Sequence, residues 1–279
     1  MYHYTWYHWL TFFYIYCVCG WIFESTYVSL KSHRFINRGF LRLPMLPLYG
    51  TGAVVILWAS LPFRGSLLLV YLSGVVAATL LEYVTGYFME RLFKMRYWDY
   101  SNQKLQLHGY ICLSSSIAWG FLTIFLTDVI HEPIARFVLS WNPIAEFTFL
   151  AVISCLFVSD AIKSTKEALD LGHALETITK VRAELEEVQV QLALLRAETV
   201  QKVTESMEGK MQRVAHHAST LSESALAERL KALNEKQQKM AQQMSFYRKE
   251  LLRGNPTAAS KRFANALKDL KEAVNSRRN

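Results

Sequence analysis

Up to about residue 162 the apolar positions run together in long stretches with few charges, and beyond it they recur every third or fourth residue among charged neighbours. The first pattern predicts membrane helices, because about 20 apolar residues are needed to cross a hydrocarbon core roughly 30 Å thick. Five stretches fit, at 9–30, 44–61, 67–92, 110–127 and 144–162. The second pattern predicts amphipathic helix. Ile178, Val181, Leu185, Val188, Leu192 and Leu195 form one heptad seam, and Leu226, Leu230, Leu233, Gln237, Met240, Met244, Tyr247 and Leu251 form another. Gly209 and the serines of 219–224 mark a weak point or turn between the seams. Asn255-Pro256 reads as a cap and first-turn proline opening a last helix that carries Phe263, Leu267, Leu270 and Val274. The predicted fold is all-α: a polytopic membrane helix bundle of about five transmembrane helices in residues 1–162, and a cytoplasmic helical or coiled-coil tail in residues 163–279.

Composition sharpens the division. Mean hydropathy is only +0.11, yet residues 1–162 hold just 10 of the 31 Lys and Arg and 8 of the 23 acids. All 7 Trp precede residue 142, and beyond residue 162 the only aromatics are Phe246, Tyr247 and Phe263. Trp6, Trp9, Tyr71, Trp98, Trp119 and Trp141 fall toward stretch ends, as interfacial aromatic belts do. The start lacks the basic region and small-residue cleavage site of a removable signal peptide.

Charge then sets orientation. The first link holds Lys31, Arg34, Arg38 and Arg42 with no acid, and the third holds Lys94, Arg96 and Lys104 close to Arg91. Basic links stay in the cytoplasm, so the N-terminus is expected outside and the tail inside. The +8 net charge is a topology and inner-leaflet signal, and no motif favours nucleic acid. Cys17, Cys19, Cys112 and Cys155 all lie in predicted spans without a CxxC pair, which suits small packing residues better than a zinc site.

Three carboxylates interrupt the apolar stretches: Glu24 in the first, Glu82 and Glu90 in the third. An acid at membrane depth is costly unless it faces a packed interior, a partner or water. Glu24 ends Gly20-Trp21-Ile22-Phe23-Glu24 and is either a functional acid or one that reaches headgroup water. Asn37-Arg38-Gly39-Phe40-Leu41, followed by Pro44, Pro47 and Tyr49-Gly50, is too basic and proline-rich for uninterrupted helix. Such backbone is tolerated at depth only where protein or water surrounds it; the alternative is a cytoplasmic turn. Arg38 is the natural counter-ion for one acid. Glu82, Gly86 and Glu90 recur at intervals of four and share one helix stripe, where two acids repel unless they share a cation or proton. Gly74 and Ala78 permit close helix contact. After this helix comes Tyr97-Trp98-Asp99-Tyr100-Ser101, in which Asp99 or Ser101 could cap a following turn. The polar-cavity candidates are Glu24, Asn37, Arg38, Tyr49, Glu82, Glu90, Trp98 and Asp99; no catalytic or metal-binding set stands out. Glu146 and Asp160 are expected at the interfaces.

In order, Gly20-Trp21-x-x-Glu24, Asn37-Arg38-Gly39-Phe40-Leu41, Pro47-Leu48-Tyr49-Gly50, Glu82-Tyr83-x-x-Gly86, Trp98-Asp99-Tyr100-Ser101 and Gly109-x-x-Cys112-Leu113 resemble the bacterial multi-pass membrane family labelled putative ABC-transporter permease. The resemblance covers residues 10–135 and leaves out the tail. It departs at Gln106-Leu107-His108-Gly109, where an asparagine is expected before the glycine. It implies a bacterial plasma-membrane protein and carries over no substrate, cofactor or catalytic residue. The chain has no GxxxxGK[ST] phosphate loop, so a nucleotide-driven role needs a separate ATPase subunit. Beyond the lipid bilayer and that subunit, self-association through the tail heptads is expected, since five spans are few for a pathway. Three functions remain open. One is a transport component whose acids, with Arg38, line a polar cavity for a cation, a proton or a cationic solute. Another is a membrane-anchored scaffold or sensor acting through its coiled-coil tail. The third is a membrane-embedded enzyme using Glu82, Glu90 and Asp99 on a lipid-linked substrate, against which no nucleophile and base occur at a recognised spacing. Transport is favoured because the resemblance adds to the intramembrane charge.

Overall fold

The computed structural model describes residues 4–205, 209–242 and 244–276, with side chains described outside 199–222, 238, 241–242 and 275–276. Helices dominate: α1 Trp6–Ser32, α2 Pro47–Ser60, α3 Leu67–Phe93, α4 Leu113–Phe125, α5 His131–Leu139, α6 Pro143–Glu205, α7 Gly209–Gln242, α8 Phe246–Gly254 and α9 Ala264–Ser276. A short antiparallel hairpin, β1 Gln106–Leu107 with β2 Ile111–Cys112, precedes α4. Three helical runs are long and apolar enough to cross a membrane by length and composition: Leu67–Phe93, Leu113–Leu139 and Pro143–Glu198. A shorter apolar run occupies Pro47–Phe63. On α3, Leu68, Leu72, Val76 and Leu80 are exposed at intervals of four, an apolar outer stripe suited to lipid.

The described chain divides into two compact units. The first takes the chain through Leu171 together with Phe246–Arg262. Its helices meet where a side chain is missing. A Cβ on Gly20 would lie 2.3 Å from Cβ of Tyr49, and one on Gly50 would lie 2.4 Å from Sγ of Cys17, so α1 and α2 approach closely. Gly74 receives Thr123 and Gly120 receives the Tyr71 ring, which joins α3 to α4 in the same way. Ala78, one turn on from Gly74, is buried as well. Around these seams Phe12, Tyr16, Ala53, Leu57, Ala135 and Val138 form one core cluster, and Tyr14, Cys17, Leu41, Met45 and Leu150 another.

Two predicted boundaries in this unit move. The fourth stretch starts at Leu113, because Tyr110 lies in the hairpin: Gly109 takes φ +78 beside Arg96, Asp99 and Ser101, and Trp98 donates its indole N–H to the Tyr110 carbonyl. The same stretch does not stop at Thr127. A π turn at Leu126–Ile130 carries α4 into α5. Within this continuation Arg64 reaches Asp128 and Glu132, at 3.6 and 2.9 Å, and Arg136 bonds Glu132 one turn away.

The second unit takes Gly172–Ser245 and the chain from Phe263 onward. Val181, Leu185 and Val188 of α6 pack against Leu226, Leu230 and Leu233 of α7, so the two seams pair within one chain. Leu267, Leu270 and Val274 of α9 are buried, and Arg182 reaches Asp269 at 3.3 Å. The expected turn near Gly209 falls partly on 206–208, outside the described residues; α7 starts at Gly209 and is helical through 219–224. The second seam is not one helix, since α7 ends at Gln242 and α8 begins at Phe246. Nor does Asn255-Pro256 open the last helix. The Asn255 amide is spent on the carbonyls of Leu251 and Gly39, and a turn at 256–257, a bridge at Ala259 and bends at 261–263 follow before α9 begins at Ala264.

Candidate functional site

The residues singled out by their chemistry meet at the end of the first unit that carries the basic loops. In α1, Gly20 lets Tyr49 come close, and the Tyr49 hydroxyl donates to Oε1 of Glu24 at 2.7 Å. Nε of Arg38 lies 3.6 Å from the other oxygen of Glu24. Asn37 sits beside this pair rather than in it: it accepts from the Trp21 indole at 2.6 Å and donates to the Arg42 carbonyl. The loop is fastened from below as well, since Ser25 accepts from the Arg38 amide and the Leu46 amide donates to the Cys17 carbonyl. The proline-rich segment is therefore pinned to α1, with Leu41, Met45 and Leu46 buried and Arg42 and Pro44 left exposed.

The two acids of α3 have different fates despite sharing a stripe. Glu82 is 7% exposed. The Tyr100 hydroxyl donates to its Oε1 at 3.0 Å, and the Trp119 indole and Ser115 hydroxyl donate to its Oε2 at 3.0 and 3.4 Å. Glu90 instead takes Nε of Arg96 at 2.7 Å and the Tyr110 hydroxyl at 2.5 Å, with the guanidinium lying over the Tyr110 ring. Gly86, between them, leaves room for Tyr110 and Trp98. Burial pulls the Arg96 guanidinium down, but the bond and charge of Glu90 outweigh it and hold its pKa above the ordinary value. Asp99 accepts from the amide and hydroxyl of Ser101 and faces Arg96 at 3.4 Å. It closes a turn on itself and caps no helix. Burial alone would raise its pKa, yet the Ser101 bonds and the charges of Arg96 and Lys261 bring it below the usual carboxylate value. Tyr100 ties the groups together: burial, Glu82 and, more weakly, Glu24 all push its hydroxyl well above its ordinary pKa.

The sequence did not single out Tyr100, Ser115, Trp119, Tyr110 or Arg96 as site residues. Ser115 and Trp119 stand four apart and so share a face of α4, which is the signal that was present. A second polar cluster at the opposite end of α1 also went unread. Glu146 is 2% exposed, with Thr11 donating to it at 2.7 Å and Nε2 of His8 lying 3.6 Å away. His131, similarly buried, meets the hydroxyls of Tyr16 and Tyr4 on its two ring nitrogens. A cavity of 430 Å³ opens beside Asn37, lined among others by Arg42, Asp160, Lys163 and Phe246; Glu24, Glu82 and Glu90 do not line it. Asp160 accepts from the amides of Arg42 and Leu43. Among the described residues no three of His, Cys, Asp and Glu converge as metal ligands would.

Apolar helices of membrane-crossing length around hydrogen-bonded carboxylates define a membrane protein. Over residues 11–165 the chain matches the family described as Putative ABC-transporter type IV, and it belongs to that family. Such a family supplies a membrane component that works with an ATPase subunit, in keeping with a chain that lacks a phosphate loop. No curated protein and no solved structure matches it.

Proposed function

We propose that the chain is the membrane-embedded part of a transporter whose buried carboxylates handle a cation, a proton or a cationic solute, energised by a separate ATPase. The observation that carries this reading is the contrast among the acids. Glu24 and Glu90 each face an arginine, whereas Glu82 is held by three uncharged donors and no cation stands in ion-pairing distance among the described residues. A carboxylate enclosed in an apolar helix bundle and only partly balanced is suited to take up a proton or cation and release it. Five spans, with the N-terminus outside and the basic loops and tail inside a bacterial plasma membrane, fit the charge of the links. The test is ion flux into proteoliposomes of the purified complex, followed with entrapped pH and cation dyes. Glu82→Gln is expected to abolish flux or change its pH dependence while the protein stays inserted and monodisperse; undiminished flux at every pH would refute the reading.

A second reading, a scaffold or sensor, is favoured by the separate unit of paired helices that α6, α7 and α9 build. Tails of two copies could exchange these seams and so self-associate. Survival of the cellular phenotype after loss of residues 165–279 would exclude it.

A further inference from the structure

We propose that Phe246–Arg262 is a strap that closes the basic-loop end of the first unit and does so by gripping the two arginines that balance the acids. The segment belongs to that unit although it lies far along the chain. Its contact with the first loop is built on Arg38. Nη1 donates to the Gly254 carbonyl at 3.2 Å and to Oδ1 of Asn255 at 2.9 Å, and Nη2 reaches Thr257 at 3.4 Å. Gly254 ends α8, so the guanidinium sits where helix carbonyls lack partners and a cation is favoured. Asn255, 1% exposed, returns a bond from Nδ2 to the Gly39 carbonyl. A Cβ on Gly254 would lie 2.6 Å from the Asn37 carbonyl oxygen, so the fit is close.

Contact with the second loop is made through the backbone. Arg96 and Ala259 exchange both amide bonds, at 2.7 and 2.9 Å, as an antiparallel bridge. Ser260 donates to the Lys94 carbonyl, and Thr257 to that of Tyr97. Two further anchors hold the start of the strap, Arg42 over the Tyr247 ring at 4.1 Å and Arg248 on Glu167 at 2.9 Å.

One strap thus spans two loops that no local sequence pattern joins, and each loop supplies the cation of one acid. Arg38 is divided between Glu24 on one side, at 3.6 Å, and the strap on the other, at 2.9 Å. Releasing the strap frees that guanidinium and unpins the backbone of Arg96, the partner of Glu90. The closed arrangement also carries an opposing cost. Tyr97 is 6% exposed beneath it, and among the described residues its hydroxyl finds no hydrogen-bond partner, a group that water would satisfy once the strap lifts. The strap is therefore suited to open and shut, with Ser25 and Tyr97, the groups it covers, reached by water only when it opens. This claim concerns access and not cargo, so it stands or falls apart from the transport reading.

The test uses the full chain in nanodiscs, where both faces are reachable. Ser25→Cys, introduced after the four native cysteines are replaced by alanine, places a thiol at a position 3% exposed beneath Arg38. Labelling by a membrane-impermeant maleimide is expected to be slow, and at least about tenfold faster when Asn255→Ala or Ala259→Pro is added, since each removes strap bonds. A Thr11→Cys reporter at the opposite end should not change. Equal labelling with and without the strap substitutions overturns the proposal, and so does a matching rise at position 11, which would mean general loosening. Hydrogen exchange of the unaltered chain gives a second measure that needs no variant to fold. Amides of 94–97, 255 and 257–260 should exchange at one shared rate, and protection of the loop while the strap exchanges would also overturn it.

Discussion

At the scale of single residues, the site turns on how each acid finds donors. Asp99 offers a prediction with a definite sign. Its folded pKa is depressed, so the stabilisation it gives is complete above the unfolded value of about 3.9 and is lost as pH falls through the lower folded value. The turn at 99–109 should hold at neutral pH and loosen below about pH 4, seen as faster hydrogen exchange at the Ser101 amide. Asp99→Asn should remove that acid limb; an unchanged exchange profile in the variant would show that the turn is held by other groups. Residue type and spacing put Glu24, Arg38 and Tyr49 among the candidates, because a basic proline-rich loop after an acid-ended apolar stretch is visible locally, and the structure brings these three together. They did not reveal which acid takes which partner. Glu82 and Glu90 share a stripe, yet Arg96 bonds the second alone, and the hairpin that carries Tyr110 to Glu90 depends on a positive-φ glycine at 109.

At the scale of elements, close helix contact explains why glycines sit inside apolar runs where they otherwise weaken a helix. A methyl group on Gly74 would lie 2.0 Å from Oγ1 of Thr123, so Gly74→Ala must push α3 and α4 apart or force Thr123 from its rotamer. The expected loss is about 1–3 kcal/mol, read as a lower midpoint of thermal unfolding in detergent. Thr123→Ala in the same chain should recover part of it by removing Oγ1 and Cγ2, two of the three atoms in the way. The apolar period placed most helices within a few residues. It failed at the start of α4 and at Asn255-Pro256 for one reason: in both places side chains and backbone bind partners distant in sequence, which overrides a local preference for helix.

For the whole molecule, the charge of the links makes a prediction about sidedness. Single cysteines at Gly65 and Lys104, in a chain without its native cysteines, should label differently in intact cells. Position 65 should react with an impermeant reagent, and position 104 only after the membrane is permeabilised; the reverse result would invert the orientation. That prediction needs only the sequence, as did the helical class, the apolar front half and the amphipathic tail, because hydropathy and its period are properties of neighbouring residues. The pinning of both basic loops by residues 246–262 was decided by tertiary structure alone. Arg38 meets Asn255 across 217 positions and Arg96 pairs with Ala259. No pattern of neighbours encodes such contacts, which exist only once loop and strap are brought together and a buried charge must find its donors or acceptors among whatever lies within reach.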